Sequence, residues 1–198
     1  MNADTDYQRI VDLLTKQHLA PYVAYDARDS IKGLGNKNNE EHIVVRVSDG
    51  KVVSGTSGVS IDNGSGTHKY NPITNPVFDP KCYKATGEAP ATYNGADAVK
   101  FTLAATCKER DKDAHDYPFT TLYADARNLV PIDATGVVVQ TEDNKGVDIS
   151  VEQQFALFEG RVLPSMTKID INGSGVMFWL QLHVRETYDH YTFMNSPS

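Results

Sequence analysis

Val176-Met177-Phe178-Trp179-Leu180-Gln181-Leu182-His183-Val184-Arg185 is the stretch on which the reading of this chain turns. Its even positions are Val, Phe, Leu, Leu and Val, while its odd positions drift from Met and Trp to Gln, His and Arg. Alternation with period two marks a strand with one buried face. Just upstream, Leu163, Ile169 and Ile171 fall on one side of a second run, with Met166, Lys168 and Asp170 on the other. Between them lies Asn172-Gly173-Ser174-Gly175, whose residues suit the positive φ of a tight turn. A loop there sets Ile171 against Val176, Ile169 against Phe178 and Thr167 against Leu180.

Register can be carried further upstream, because a slip of one residue sends every side chain to the wrong face. Val147, Ile149, Val151, Phe155 and Leu157 share one side of the preceding run. A three-residue loop over 159–161, with Gly160 at positive φ, pairs Leu157 with Leu163, Val151 with Ile169 and Ile149 with Ile171. A further loop over 142–146 sets Val139 against Ile149 and Val137 against Val151. Four successive strands then share one apolar face, in a meander that spans 118–193.

The first half of the chain supplies a helix and more strands. Over 4–19, Tyr7, Ile10, Val11, Leu14 and Leu19 recur at helical spacing, with Asp4 or Thr5 as cap and Pro21 as the stop. Val23, Tyr25 and Ala27 then alternate, and a Gly- and Asn-rich connection follows over 32–39. A hairpin over 42–53 turns at Asp49-Gly50, so that Val47 meets Val52. From 55 to 81 the periodicity lapses and Pro72, Pro76 and Pro80 intervene. So long an irregular loop within one domain usually serves function. Strands resume with Val99, Phe101, Leu103 and Ala105 on one face, and a charge-rich loop occupies 108–116.

At 198 residues the chain can bury one real core, and the whole of 1–198 reads as a single domain. A formal charge of −7 removes the electrostatic footprint of nucleic-acid binding. No apolar run approaches the length of a membrane-spanning helix, and Met1-Asn2-Ala3-Asp4 begins no signal peptide. The two cysteines, Cys82 and Cys107, are centred on Asn94-Gly95, a strong hairpin turn. A hairpin there sets the two opposite each other, at a separation that a disulfide bridges. The other reading is a pair of buried thiols; a disulfide would place the chain in an oxidising compartment.

Motifs for chemistry are scarce. Gly55-Thr56-Ser57-Gly58 and Gly64-Ser65-Gly66 lack both the spacing and the helix of a nucleophile elbow, and no phosphate-binding fingerprint is present. Asp111, Asp113, His115 and Asp116 match no calcium loop and read as a solvated face. His183, His190 and Asp189 gather near the last strand, where His183 falls on the polar side. These residues call for no cofactor, no metal ion and no catalytic role. What remains is an antiparallel sheet of about 9–11 strands whose apolar concave face exceeds what one helix covers.

Leu163-Pro164-Ser165, Ile169-Asp170-Ile171-Asn172-Gly173, Leu180-Gln181-Leu182-His183-Val184 and the closing Tyr188-Asp189-His190-Tyr191-Thr192-Phe193 carry a resemblance. With the N-terminal helix and the long meander, the chain resembles the outer-membrane lipoprotein-sorting superfamily, the LolA-like and LolB-like periplasmic carriers. The Leu-Pro strand entry and the closing aromatic segment are the matching features. The resemblance implies a mainly β (α+β) fold: a half-open antiparallel barrel around a helix, in the periplasm or outside the cell, its export signal removed. It implies a lipid or lipoprotein acyl chain as partner, contact with a membrane or a membrane protein, and no enzymatic activity. Strand parity assigns the lining to Ile169, Ile171, Val176, Phe178, Leu180 and Leu182, joined by Phe101 and Leu103. Two other readings stay open. One is a periplasmic hydrolase or metal-dependent enzyme built on the loop at 111–116 or on His183 and His190. The other is a scaffold with a closed core.

Overall fold

Among the described residues, ten antiparallel strands form one open sheet, and one α-helix, α1 (Ala3–Thr15), lies near its start. The computed structural model describes residues 2–33, 37–55, 60–62, 67–69, 71–108, 117–138, 147–175 and 178–197, with backbone alone at 60–62, 67–69, 174–175 and 178–180. The first strands are β1 (Tyr22–Lys32), β2 (Lys37–Arg46) and β3 (Lys51–Ser54). A separate small ladder joins β4 (Ser60–Asp62) to β5 (Thr67–Lys69), within the stretch that reads from sequence as irregular. After a 3-10 turn at Pro80–Cys82 come β6 (Tyr83–Tyr93), β7 (Ala96–Ala105), β8 (Phe119–Asp125) and β9 (Pro131–Val137). β10 (Val147–Phe158), β11 (Arg161–Gly175) and β12 (Phe178–Met194) close the chain. The order across the sheet is β3-β2-β1-β12-β11-β10-β9-β8-β7-β6, so two meanders are stitched together where β1 pairs with β12. The sheet does not close on itself: β3 and β6 are its free edges.

Several local registers differ from the sequence expectation, and β-bulges account for two of them. The β10–β11 hairpin has a two-residue turn, Glu159 and Gly160, both at positive φ (51° and 78°). Leu157 therefore pairs with Val162, and Leu163 pairs with Ala156. The two leucines part company: Leu157 is 57% exposed, whereas Leu163 is buried. A bulge at Ser165 then restores the expected pairing, Val151 with Ile169 and Ile149 with Ile171. One extra residue in one strand offsets the shorter turn. In the same way Asn94 and Gly95 make the expected turn, but a bulge at Thr86 shifts the far end, so that Tyr83 faces Ala105. Cys82 and Cys107 still form a disulfide.

Three other expectations are corrected. Asn172 to Gly175 is no loop: β11 continues through Gly175, which pairs with Phe178, and Ile171 faces Leu182 instead of Val176. Asn172 and Gly173 are laddered on both sides, by Asp148 and Val147 and by Gln181 and Leu180. Pairing on two flanks overrides local turn propensity. The shift keeps parity, so the even residues of β12 still meet the odd residues of β11. In β9, Gly136 rather than Val137 pairs with Val151, and Val137 is 56% exposed. Small residues carry this strand's inner face, since a Cβ at Gly136 would sit 2.0 Å from the Pro118 carbonyl oxygen. Finally, Val52 meets Val45 rather than Val47, because 47–50 form a four-residue loop closed by the Gly50 N–H on the Arg46 carbonyl.

The core falls into two parts. Tyr7, Ile10 and Val11 of α1 pack on Phe101, Phe119, Leu122, Val151 and Ile169. Beyond them, Val23, Tyr25, Ala27, Ile43 and Val45 pack with Leu163, Tyr188 and Tyr191. The Cys82–Cys107 disulfide lies beside the first cluster.

Candidate functional site

The two clusters meet along a seam, and at that seam a cleft of about 380 Å³ opens. Its walls draw on both sides: Leu14, Phe78, Phe155 and Val162 belong to the helix-covered cluster, Leu19, Ile73 and Leu163 to the other. The wall is fixed by polar fastenings rather than by apolar packing alone. Just after the end of α1, the Gln17 side chain makes a paired bond with the backbone of Val162: its Nε2 donates to the carbonyl at 2.8 Å, and its Oε1 accepts from the N–H at 3.0 Å. Arg161 Nε donates to the His18 carbonyl at 3.0 Å, and its guanidinium stacks 4.0 Å above the Phe193 ring. The chain after α1 is thereby clamped to the start of β11.

Opposite, the 71–82 segment forms the other bank. Asn71 Oδ1 accepts from the N–H groups of Ile73 and Thr74, an Asx turn that presents Ile73. Phe78 is wedged among Tyr83, Phe119 and Phe155 at centroid separations of 5.2, 5.1 and 6.1 Å. Its N–H donates to Gln153 Oε1 at 2.9 Å, and Tyr7 Oη donates to the Pro80 carbonyl at 2.9 Å. Gln153 in turn donates to Thr167 Oγ1 at 2.9 Å, the Thr167 hydroxyl meets the Tyr188 hydroxyl at 3.2 Å, and Tyr188 donates to Glu186 Oε2 at 2.8 Å. A buried polar chain thus runs from the Phe78 backbone through Gln153, Thr167 and Tyr188 to Glu186. Burial, reinforced by the Glu186 charge, pushes the Tyr188 hydroxyl well above its ordinary range, so it stays a neutral donor.

The sequence-assigned lining is distributed unevenly. Phe101, Leu103 and Ile169 are buried in the helix-covered cluster, with the Phe101 ring 6.2 Å from Tyr7. Ile171 is partly buried at the margin of that cluster, and Leu182, opposite it, is half-buried. The side chains of Val176, Phe178 and Leu180 lie outside the described residues. The cleft itself is built by Leu14, Gln17, Leu19, Ile73, Phe155 and Leu163, which strand parity in the last hairpin did not single out. The legible signal was the end of the helical stripe, Leu14 and Leu19, set against the Leu163-Pro164 strand entry.

The polar candidates separate as well. His183 faces Asp170 at 2.7 Å, while His190 faces Asp26 at 2.9 Å, so the two histidines serve different carboxylates. The loop at 111–116 lies outside the described residues, as does the expected turn at 142–146.

No family model matches the sequence, and no curated protein does. Two crystal structures are similar along the whole chain. One is a DUF1329 family protein from Desulfovibrio piger, with a TM-score of 0.49, 9% identity and coverage of 100% of this chain and 96% of that one. The other is a LolA superfamily protein from Nitrosomonas europaea, with a TM-score of 0.46, 9% identity and the same two coverages.

Proposed function

We propose that this chain is an extracytoplasmic carrier that holds an acyl chain of a lipid or lipoprotein in the cleft at the seam, and that it is not an enzyme. The observation that supports this most is the cleft's position. A sheet left open at both edges is plugged by one short helix, and at the C-terminal end of that helix Leu14, Leu19, Phe155 and Leu163 line the cleft, with Gln17, Asp79 and Lys81 among its polar walls. Its volume falls at the lower end of the range that ligand pockets occupy. The Cys82–Cys107 disulfide fits an oxidising compartment. In the proposal Ile171 and Leu182, which pair with each other outside the walls of the cleft, offer a second stretch of apolar surface, and Val176, Phe178 and Leu180 join them on sequence parity alone.

Protein purified without detergent, extracted into organic solvent and analysed by mass spectrometry should yield about one acyl-chain equivalent per chain. Ile73→Trp fills the cleft from a half-buried loop position without adding a charge, and should abolish binding of a fluorescent fatty-acid probe while the melting temperature holds. Phe178→Asp asks the same of the sequence-assigned lining, through the cost of an unpaired charge in an apolar pocket. Wild-type protein that neither carries lipid nor binds the probe overturns the carrier reading.

A further inference from the structure

The outer face of the β2-β1-β12 half carries a second constellation. Asp26 alternates with Tyr25 and Ala27, whose side chains enter the core, so it projects from the opposite surface. Across the ladder it pairs with His42 on one side and Asp189 on the other. His190 follows at a β-bulge, with φ of 50°. Its Nδ1 lies 2.9 Å from Asp26 Oδ2 and 3.2 Å from Asp189 Oδ1.

One N–H cannot serve both oxygens. Its hydrogen bond is to Asp26, and Asp189 Oδ1 is left out of contact with water and without a hydrogen-bond donor. An ionised oxygen in that state is costly, and a cation would relieve it. The far oxygen of each carboxylate is held from behind. His42 Nδ1 lies 2.7 Å from Asp26 Oδ1, and Arg28 donates to Asp189 Oδ2 while also reaching Glu40. Each carboxylate therefore turns one fixed oxygen toward His190. Outer groups that orient first ligands in this way are characteristic of metal centres.

We propose that Asp26, Asp189 and His190 bind a divalent first-row transition-metal ion, with His42 and Arg28 holding the two carboxylates in place. The three ligand atoms lie within 4.8 Å of one another. Donors at metal distances of about 2.0–2.2 Å stand roughly 2.8–3.6 Å apart as tetrahedral or neighbouring octahedral ligands, which brackets both spacings to His190 Nδ1. An imidazole among the ligands selects zinc-like ions over calcium and magnesium. Neutral His190 bonds the ion through Nδ1 once its hydrogen sits on Nε2. The site belongs to the outer surface, so it stands independently of the acyl-chain proposal.

Full-length protein stripped with chelator is titrated with Zn²⁺ by calorimetry, and with Co²⁺ to read the ligand-field absorption that imidazole coordination gives. One saturable equivalent is expected, with Mg²⁺ failing to compete. Asp189→Asn and His190→Asn should each abolish saturable binding; asparagine tolerates the left-handed backbone at position 190, so the fold is preserved. His42→Gln and Arg28→Gln should weaken binding by about 10–100-fold. His183→Ala, at the separate His183–Asp170 pair, should leave it unchanged. Circular dichroism of every variant separates loss of ligand from loss of fold. No saturable Zn²⁺ binding by the wild type, or binding that survives in both Asp189→Asn and His190→Asn, overturns the proposal.

Discussion

The two halves of this sheet are closed by different means. Over β6 to β11 the concave face is covered by a helix, and Tyr7, Ile10 and Val11 press on Phe101, Phe119 and Ile169 in apolar packing. Over β1, β2 and β12 the sheet covers itself, with Tyr25 at 5.9 Å from Tyr188 and 5.6 Å from Tyr191. The first half relies on shape and burial. The second is a cluster of three tyrosines, in which the Tyr191 hydroxyl donates to the Pro164 carbonyl at 2.7 Å while the buried Tyr25 hydroxyl has no hydrogen-bond partner among the described residues. Two separately satisfied cores need not interdigitate where they meet, and the cleft lies along that line.

The sharpest way to break this contrast is to truncate one aromatic in each half. Phe101→Ala removes a fully buried ring under the helix and should cost about 3–5 kcal/mol in urea denaturation. Tyr191→Phe keeps the ring and removes only the hydroxyl and its bond to the Pro164 carbonyl, at about 0.5–1.5 kcal/mol. If Phe101→Ala instead cost under about 1 kcal/mol, Phe101 would line an open cavity, as the sequence assignment had it.

The disulfide also stabilises the helix-covered half. It closes a loop with a sequence separation of 25, so replacing both cysteines by alanine should lower stability by about 3 kcal/mol. Thiol titration of unfolded, unreduced wild-type protein should find no reactive thiol. The effect of the double substitution should fall on the melting of the β6–β7 region, read by hydrogen exchange, before that of β1 and β12.

How much was legible follows from what sequence patterns record. Alternation and turn dipeptides marked α1, β1, the β6–β7 turn at Asn94-Gly95 and the turn glycine Gly160. Which side chains share a face was legible wherever parity held, as for Val151 with Ile169. Bulges at Thr86 and Ser165 were not, because an inserted residue leaves no composition signal and is revealed only by the partner strand. The cleft was half-legible: Leu14 and Leu19 end a visible stripe, but their opposition to Ile73 and Leu163 depends on contacts distant in sequence. The Asp26–His42–His190 set was hidden for the same reason, since its members are joined only by the β2-β1-β12 ladder.

A subtler difference concerns charge on the outer side of the helix-covered half. Asp133 of β9 is buried, with Oδ1 unpaired, and burial together with the Glu152 charge pushes its carboxyl up to about 6. A folded-state value above the unfolded one means that the native protein binds the extra proton, so stability falls as pH rises through about 6. Asp133→Asn removes that liability and keeps an acceptor for the Tyr93 hydroxyl. It should stabilise the protein by about 1–3 kcal/mol at pH 8, with the gain fading toward pH 4. A gain that is independent of pH would assign the effect to packing instead.

The smallest expected effect tests the register on which both halves rest. With a three-residue loop at 159–161, Leu157 would face Leu163 inside the core, and its truncation would cost about 2–5 kcal/mol. With the observed two-residue turn, Leu157 pairs with Val162 at the hairpin end and is 57% exposed. Leu157→Thr should then change stability by no more than about 0.5 kcal/mol, the usual range for surface positions. Threonine keeps strand propensity, so the measurement reports burial rather than backbone preference. The same change at Leu163, which is buried, serves as the reference and should cost several times more. Equal losses at the two positions would restore the longer loop. They would also remove the need for the bulge at Ser165, which in the observed structure returns β10 and β11 to register before Val151 reaches Ile169.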